Sequence, residues 1–262
     1  TEAADGGAGL NALEQLGNVM SRHGAMTGNR EQIEKAIGLL ERVHAIGATI
    51  ERESLLGSAY KRLALVATSE RDKRDALAKS LRYYTSATDR ARESAPTELF
   101  YPALNCISLQ LVLRGPKSRM PLDPKLIEET RRSAAQKHAD DPDFWSAMAG
   151  VELALYEALA SGDLAAALKP ILIDLEDVVR RTRSRREWSS VIEQFHWILD
   201  HYRGTPGLPQ KEREAIDKLL RALPTGIAKA AKRSATASTR NTRTTRKQSA
   251  KRPAAKKKAK KK

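Results

Sequence analysis

The stretch ESLLGSAYKRLAL, residues 53–65, decides how this chain is read. Leu55, Leu56, Ala59, Tyr60, Leu63 and Ala64 recur at the three-four spacing of one helical face. Gly57 sits in the middle of that face, where glycine costs about 1 kcal/mol relative to alanine. A helix accepts the cost when a neighbour must come close. Gly57 is therefore expected to let a partner helix pack backbone to backbone, with Leu56 and Tyr60 gripping it on either side.

Outward from this segment the chain reads as helix after helix. Asn29 and Gln32 form a capping pair ahead of Ile33, Ala36, Ile37, Leu40 and Val43, which share a face. The charged run from Ser69 to Asp75 reads as a loop or frayed turn. A helix over about 76–94 follows, ended by Pro96. A largely apolar helix is expected over 98–113, with Pro102 tolerated near its start. RGPKSRMPL, 114–122, is a loop. Asp123-Pro124 and Asp141-Pro142 each read as an N-cap followed by a first-turn proline, opening helices near 124–139 and 142–161. Gly162-Asp163 turns into a helix over 164–182.

Ser184 with Glu187 reads as a capping box for the clearest amphipathic helix, whose apolar face is Trp188, Val191, Ile192, Phe195, Leu199 and Tyr202. GTPGLP, 204–209, interrupts before a last helix over 210–223. No alternating β-branched segment is long enough for a strand. The expected fold is all-α, about ten helices in antiparallel pairs: a helical repeat domain over 1–204, a linker and C-terminal helix over 205–228, and a tail over 229–262.

Leu56-Gly57-x-x-Tyr60 resembles the first helix of a tetratricopeptide repeat. Leu16-Gly17 echoes it 40 residues earlier, with Met20 in the place of Tyr60. Tyr84 and Ala87 fit the aromatic and small positions of a second helix, given an insertion near 68–76. SGDLAAALKPIL resembles another second-helix start. The resemblance implies a right-handed solenoid whose first helices line a concave surface that holds a partner peptide. In that register Ser58, Lys61, Arg62, Asn105 and Gln110 face the partner. An unspecific helical bundle is the competing reading.

A wider resemblance runs over about 31–202. Tyr101-Pro102-Ala103-Leu104-Asn105, followed by Asp143-Phe144-Trp145 beside a Gly-Asp turn, is similar to the TRAFs-binding domain of apoptosis-signal-regulating kinases and its bacterial relatives. The sequence departs from that family around the Gly-Asp turn, where acidic and leucine residues are common. In bacterial relatives such regions sit beside a catalytic or signalling domain, for example a caspase-like protease. The chain begins at Thr1, which fits either removal of an initiator or a piece of a longer protein.

Composition narrows the function classes. Aromatics are 5% of 262 residues, so the core must rest on Leu, Ile, Val and Ala. The single cysteine, Cys106, permits no disulfide framework and points to a reducing, cytoplasmic home. The longest uncharged run, Leu99 to Leu113, is shorter than the roughly 20 residues of a spanning helix. Cys106 lies among apolar neighbours and reads as an inert core thiol. His196 and His201 are five apart, off metal-binding spacing, and read as packing and surface residues. Tyr83-Tyr84 and Phe100-Tyr101 read as inter-helix packing or as groove lining. No phosphate loop, nucleophile elbow or His-Glu-x-x-His motif is present. Neither an enzyme active site nor a cofactor or small-molecule substrate is expected.

The charge is concentrated at one end. Residues 229–262 carry 15 Lys or Arg and no acid, leaving 32 basic against 32 acidic residues in the rest. Beyond Gly226, Ile227 and alanines are nearly all that is apolar, so this segment is expected to be disordered. Its composition resembles bipartite nuclear-import signals and lysine-rich linker-histone tails. Arg243, Arg246, Lys247, Lys251, Arg252, Lys256, Lys257, Lys258, Lys260, Lys261 and Lys262 are candidate contacts to nucleic-acid phosphates. Such binding is sequence-independent, and with roughly 6–10 phosphates it weakens about 10³–10⁵-fold between 50 and 200 mM salt. A merely solubilising tail is the plainer reading. Two functional readings result: a protein-interaction scaffold or regulatory module, and, as the alternative, a nucleic-acid-associated protein working through its tail.

Overall fold

A computed structural model describes residues 9–115, 122–181 and 185–223. The described residues form ten helices and no strand: α1 (Leu10–Thr27), α2 (Arg30–Ile46), α3 (Ile50–Leu65), α4 (Glu70–Ser94), α5 (Phe100–Arg114), α6 (Pro124–Asp140), α7 (Phe144–Ser161), α8 (Leu164–Arg181), α9 (Arg185–Arg203) and α10 (210–223). A 3₁₀ turn, Pro96–Glu98, joins α4 to α5. Each helix packs on the next from α1 to α8. Alternate helices also meet, α1 beside α3 and α5 beside α7. This is the stacked helix-pair architecture of a tetratricopeptide-like repeat.

Local chemistry sets the boundaries. Asn29 accepts from the Gln32 N–H at 3.0 Å, Thr49 from Arg52 at 3.1 Å and Asp123 from Lys125 at 2.9 Å. Each cap is worth about 1 kcal/mol. Two expected boundaries are corrected. The charged run after Ser69 is not a loop, because Ser69 caps α4 by accepting from Asp72 at 3.0 Å. Glu70 and Asp72 then sit at the positive end of the helix dipole. The extra length expected near 68–76 lies mostly in the first turns of α4, which runs for 25 residues. Nor does Asp141 cap α7. Asp143 does, because Ser146 stands three residues on and returns a bond to the Asp143 N–H. The Ser184 capping box, the loop at 116–121 and the tail beyond 223 lie outside the described residues.

The close approach at Gly57 is real, but it differs from the backbone-to-backbone contact expected. The ring of Tyr84 on α4 covers the glycine, and a Cβ there would meet Tyr84 Cδ2 at 2.6 Å. Ser80, one turn earlier on α4, donates to the Gly57 carbonyl at 2.7 Å. Gly17 does the same work in α1, where a Cβ would lie 2.7 Å from Leu40 Cδ2 on α2. The two glycines mark equivalent crossings of two successive helix pairs.

Two apolar clusters result. Ile33, Ile37, Leu40, Leu55, Leu56, Ala59 and Tyr60 join α2 to α3. A larger one runs from α3 and α4 to α10 and includes Tyr84, Leu104, Ile107, Met148, Tyr156, Phe195 and Leu219. Cys106 is buried between Thr85 and Thr88, and burial pushes its thiol pKa up. At the far end α10 completes α8. The buried carboxylate of Glu212 accepts from the Ala165 N–H at 3.2 Å, at the helix's positive terminus.

Candidate interaction surface

Polar side chains from α1, α3, α5, α7 and α9 converge on one face. At its centre Lys61 donates to the amide oxygens of Asn105 on α5, at 3.1 Å, and Gln194 on α9, at 2.5 Å. Its ammonium lies 5.2 Å from the ring centre of Trp197. Gln194 passes the chain on, donating to the Tyr156 hydroxyl at 3.0 Å, and Tyr156 donates to Glu152 at 3.1 Å. A cation and a carboxylate are thus linked through neutral groups, outside ion-pair distance of each other. Burial pulls the Lys61 pKa down to about 8, and the nearby Arg62 adds to that. Burial pushes the Glu152 pKa up to about 7, partly opposed by its bond from Tyr156.

Next to this chain lies a pair of guanidiniums. Arg62 on α3 donates to Ser21 at 2.9 Å and to Asn18 at 3.4 Å, both on α1. Arg22, the residue after Ser21, donates to Ser190 on α9 at 2.7 Å. Burial, then the charge of Arg22, lowers the Arg62 pKa. Tyr101 stands at the edge, partly exposed, its ring against Trp145 of α7 with centres 6.5 Å apart. Helix α9 therefore crosses this face. It is bonded to α1, α3 and α7, packs on α5, and buries Trp188, Val191, Phe195, Ile198, Leu199 and Tyr202.

Of the five residues nominated for partner binding, Lys61 and Asn105 are bonded to each other, and Lys61 is further held by α9. Arg62 turns toward α1. Ser58 stands beside the buried Tyr84 hydroxyl. Gln110 shares no hydrogen bond with the other four, and its Oε1 is buried without a partner. Of the nominated aromatics, Tyr84 and Phe100 are core residues and Tyr83 stacks on Tyr60. The tail residues from Arg243 to Lys262 lie outside the described residues. Sequence reasoning missed Asn18, Ser21, Arg22, Glu152, Ser190 and Gln194. One signal was available: Ser190, Gln194 and Trp197 recur at helical spacing beside the apolar face of α9.

Among the described residues no group of three or more His, Cys, Asp or Glu is placed to hold a metal. None of the described helices is long and apolar enough to cross a membrane. His201 is partly buried against Tyr202 and His196 faces Asp200 at 3.9 Å.

A family model described as Tetratricopeptide Repeats-Sensor matches residues 1–110, which span α1 to α4 and most of α5. No curated protein and no solved structure gives a match to the chain. The chain carries a tetratricopeptide-type helical domain, and it includes the helices that supply Arg22, Lys61, Arg62 and Asn105.

Proposed function

We propose that the chain is a non-catalytic regulatory module that binds a protein partner on the face lined by α1, α3 and α5. The convergence of Asn18, Arg22, Ser58, Arg62 and Tyr101 there, within the matched segment, carries this reading. The matching family's description names a sensor, which fits a module that reports occupancy to a neighbouring domain. Its resemblance to the TRAFs-binding domain suggests a signalling or protease protein as the larger setting, in a reducing, cytoplasmic compartment. Lys61 and Asn105 hold α9 in place and support the face without meeting the partner.

A second reading rests on the charge of 229–262: non-specific binding to nucleic-acid phosphates through the tail. One experiment separates the two. The full chain, a variant with the eleven nominated tail residues replaced by Gln, and Arg62→Glu are used as baits in lysate, with and without nuclease. The scaffold reading expects a discrete protein held by the first two, nuclease-resistant, and lost with Arg62→Glu. Capture that needs the tail and disappears with nuclease overturns it in favour of the second reading.

A further inference from the structure

Arg22 and Arg62 are brought together without a counter-charge. Each is half-buried, and each donates its hydrogen bonds to neutral oxygens: Ser190 for Arg22, Ser21 and Asn18 for Arg62. Among the described residues no carboxylate stands within ion-pair distance of either. Elsewhere the protein pairs its inter-helix arginines with acids: Arg52 with Glu14, Arg90 with Glu53, Arg92 with Glu129 and Arg131 with Glu157. Glu193, exposed on α9, acts on Arg62 only through its longer-range field. Holding two like charges together and partly out of water is unfavourable unless something neutralises them.

We propose that Arg22 and Arg62, with the hydroxyl of Ser190, form an oxyanion site between α1, α3 and α9 that takes a phosphoryl group. Among the described residues Nε and Nη1 of Arg22 and Nε and Nη2 of Arg62 meet no protein acceptor; the Arg62 pair is a fork that matches two oxygens of a phosphate, and Arg22 adds single bonds. Charge decides the class: a phosphate dianion neutralises both arginines, whereas one carboxylate neutralises one. The Ser190 hydroxyl and the Tyr101 phenol, which lies within the field of Glu51 and of both arginines, supply further donors for a ligand with more than two oxygens. Because α9 covers the adjoining part of the face, the ligand is small: inorganic phosphate or a phosphomonoester. The site adds to the proposed role of this face and rests on it only for that face being functional. Its test needs no protein partner, so the two fail separately.

The test is thermal unfolding of the full chain at constant ionic strength, with phosphate, glycerol 3-phosphate or succinate added. The wild type, Arg22→Gln and Arg22→Gln/Arg62→Gln are compared. Phosphate or the monoester should raise the wild-type midpoint by about 5–10 °C at a hundredfold excess over Kd. The larger of those two shifts identifies the source of the phosphoryl group. The double variant should lose the shift. Arg22→Gln, which removes one bond to a hydroxyl, should need at least tenfold more ligand, and it keeps the test decisive if the double variant does not fold. An equal shift in wild type and variants, as binding through 229–262 would give, overturns the site. So does no shift in the wild type, or a succinate shift as large as that of phosphate.

Discussion

The ring of Tyr84 lies over Gly57 where a methyl group would stand, 2.6 Å from its Cδ2. Gly57→Ala gains about 1 kcal/mol of helix propensity but forces a fully buried aromatic ring to move. The expected net effect is destabilisation by about 1–3 kcal/mol, read from the urea midpoint. In a Tyr84→Ala background the same change should be neutral or stabilising. A Gly57→Ala protein as stable as the wild type would mean that the ring yields freely.

The polar chain from Lys61 to Glu152 gives stability two opposite slopes with pH. Lys61, at about 8, lies below the ordinary value of 10.5. Between those values the unfolded chain holds the extra proton, so this residue's contribution rises as pH increases. Glu152, at about 7, lies above the ordinary 4.5. Between those values the folded state holds the extra proton, so its contribution falls as pH increases. Lys61→Met should flatten the alkaline slope and Glu152→Gln the acidic one, in denaturant midpoints taken across pH 4–10.5. Unchanged slopes would show that solvent reaches both groups.

Glu53 on α3 is a buried carboxylate with its charge met from α4. Ser86 donates to it at 2.7 Å and Arg90 at 3.1 Å, while His44 of α2 stands 3.5 Å away. Burial alone would push its pKa up, but the bonds from Arg90 and Ser86 outweigh that and hold it down. Its stabilising contribution is therefore full above the ordinary carboxylate pKa and is lost as pH falls through the folded value. Arg90→Ala leaves the carboxylate with its Ser86 bond but no close guanidinium and should cost about 2 kcal/mol at neutral pH. That loss should shrink on acidification, as Glu53 takes up a proton. A pH-independent loss would assign the effect to packing of the arginine stem.

Glu212 closes the N-terminus of α8 from 47 residues away. Glu212→Ala leaves the part-buried Ala165 N–H without its acceptor and should cost about 1 kcal/mol. Glu212→Gln keeps an acceptor and should cost less. Equal losses would mean that the negative charge at the helix terminus matters more than the bond.

The helices were legible where their signals are local. Asn29 and Asp123 announce α2 and α6 because a cap is written within three residues of sequence. The start of α4 was hidden because its first two turns are charged and bury nothing before Ala76, so no apolar period shows. At α7 two aspartates competed, and Ser146 decided between them by returning a bond to Asp143. Gly57 announced a close neighbour but not which atoms would fill the space. The candidate site was half legible. Lys61, Arg62 and Asn105 followed from the repeat register, whereas the seat of α9 did not. It is fixed by pairs such as Arg22–Ser190 and Lys61–Gln194, 168 and 133 residues apart, and no local pattern encodes them.

All three tryptophans gather along the line where α9 meets the rest of the protein. Trp188 is buried against Phe144, Trp197 lies under Lys61, and Trp145 packs between Tyr101 and the same Phe144 ring. Intrinsic fluorescence of this protein is thus a local gauge. Its emission registers whether one helix is seated, and would shift on loosening of α9 even while circular dichroism still records a fully helical chain.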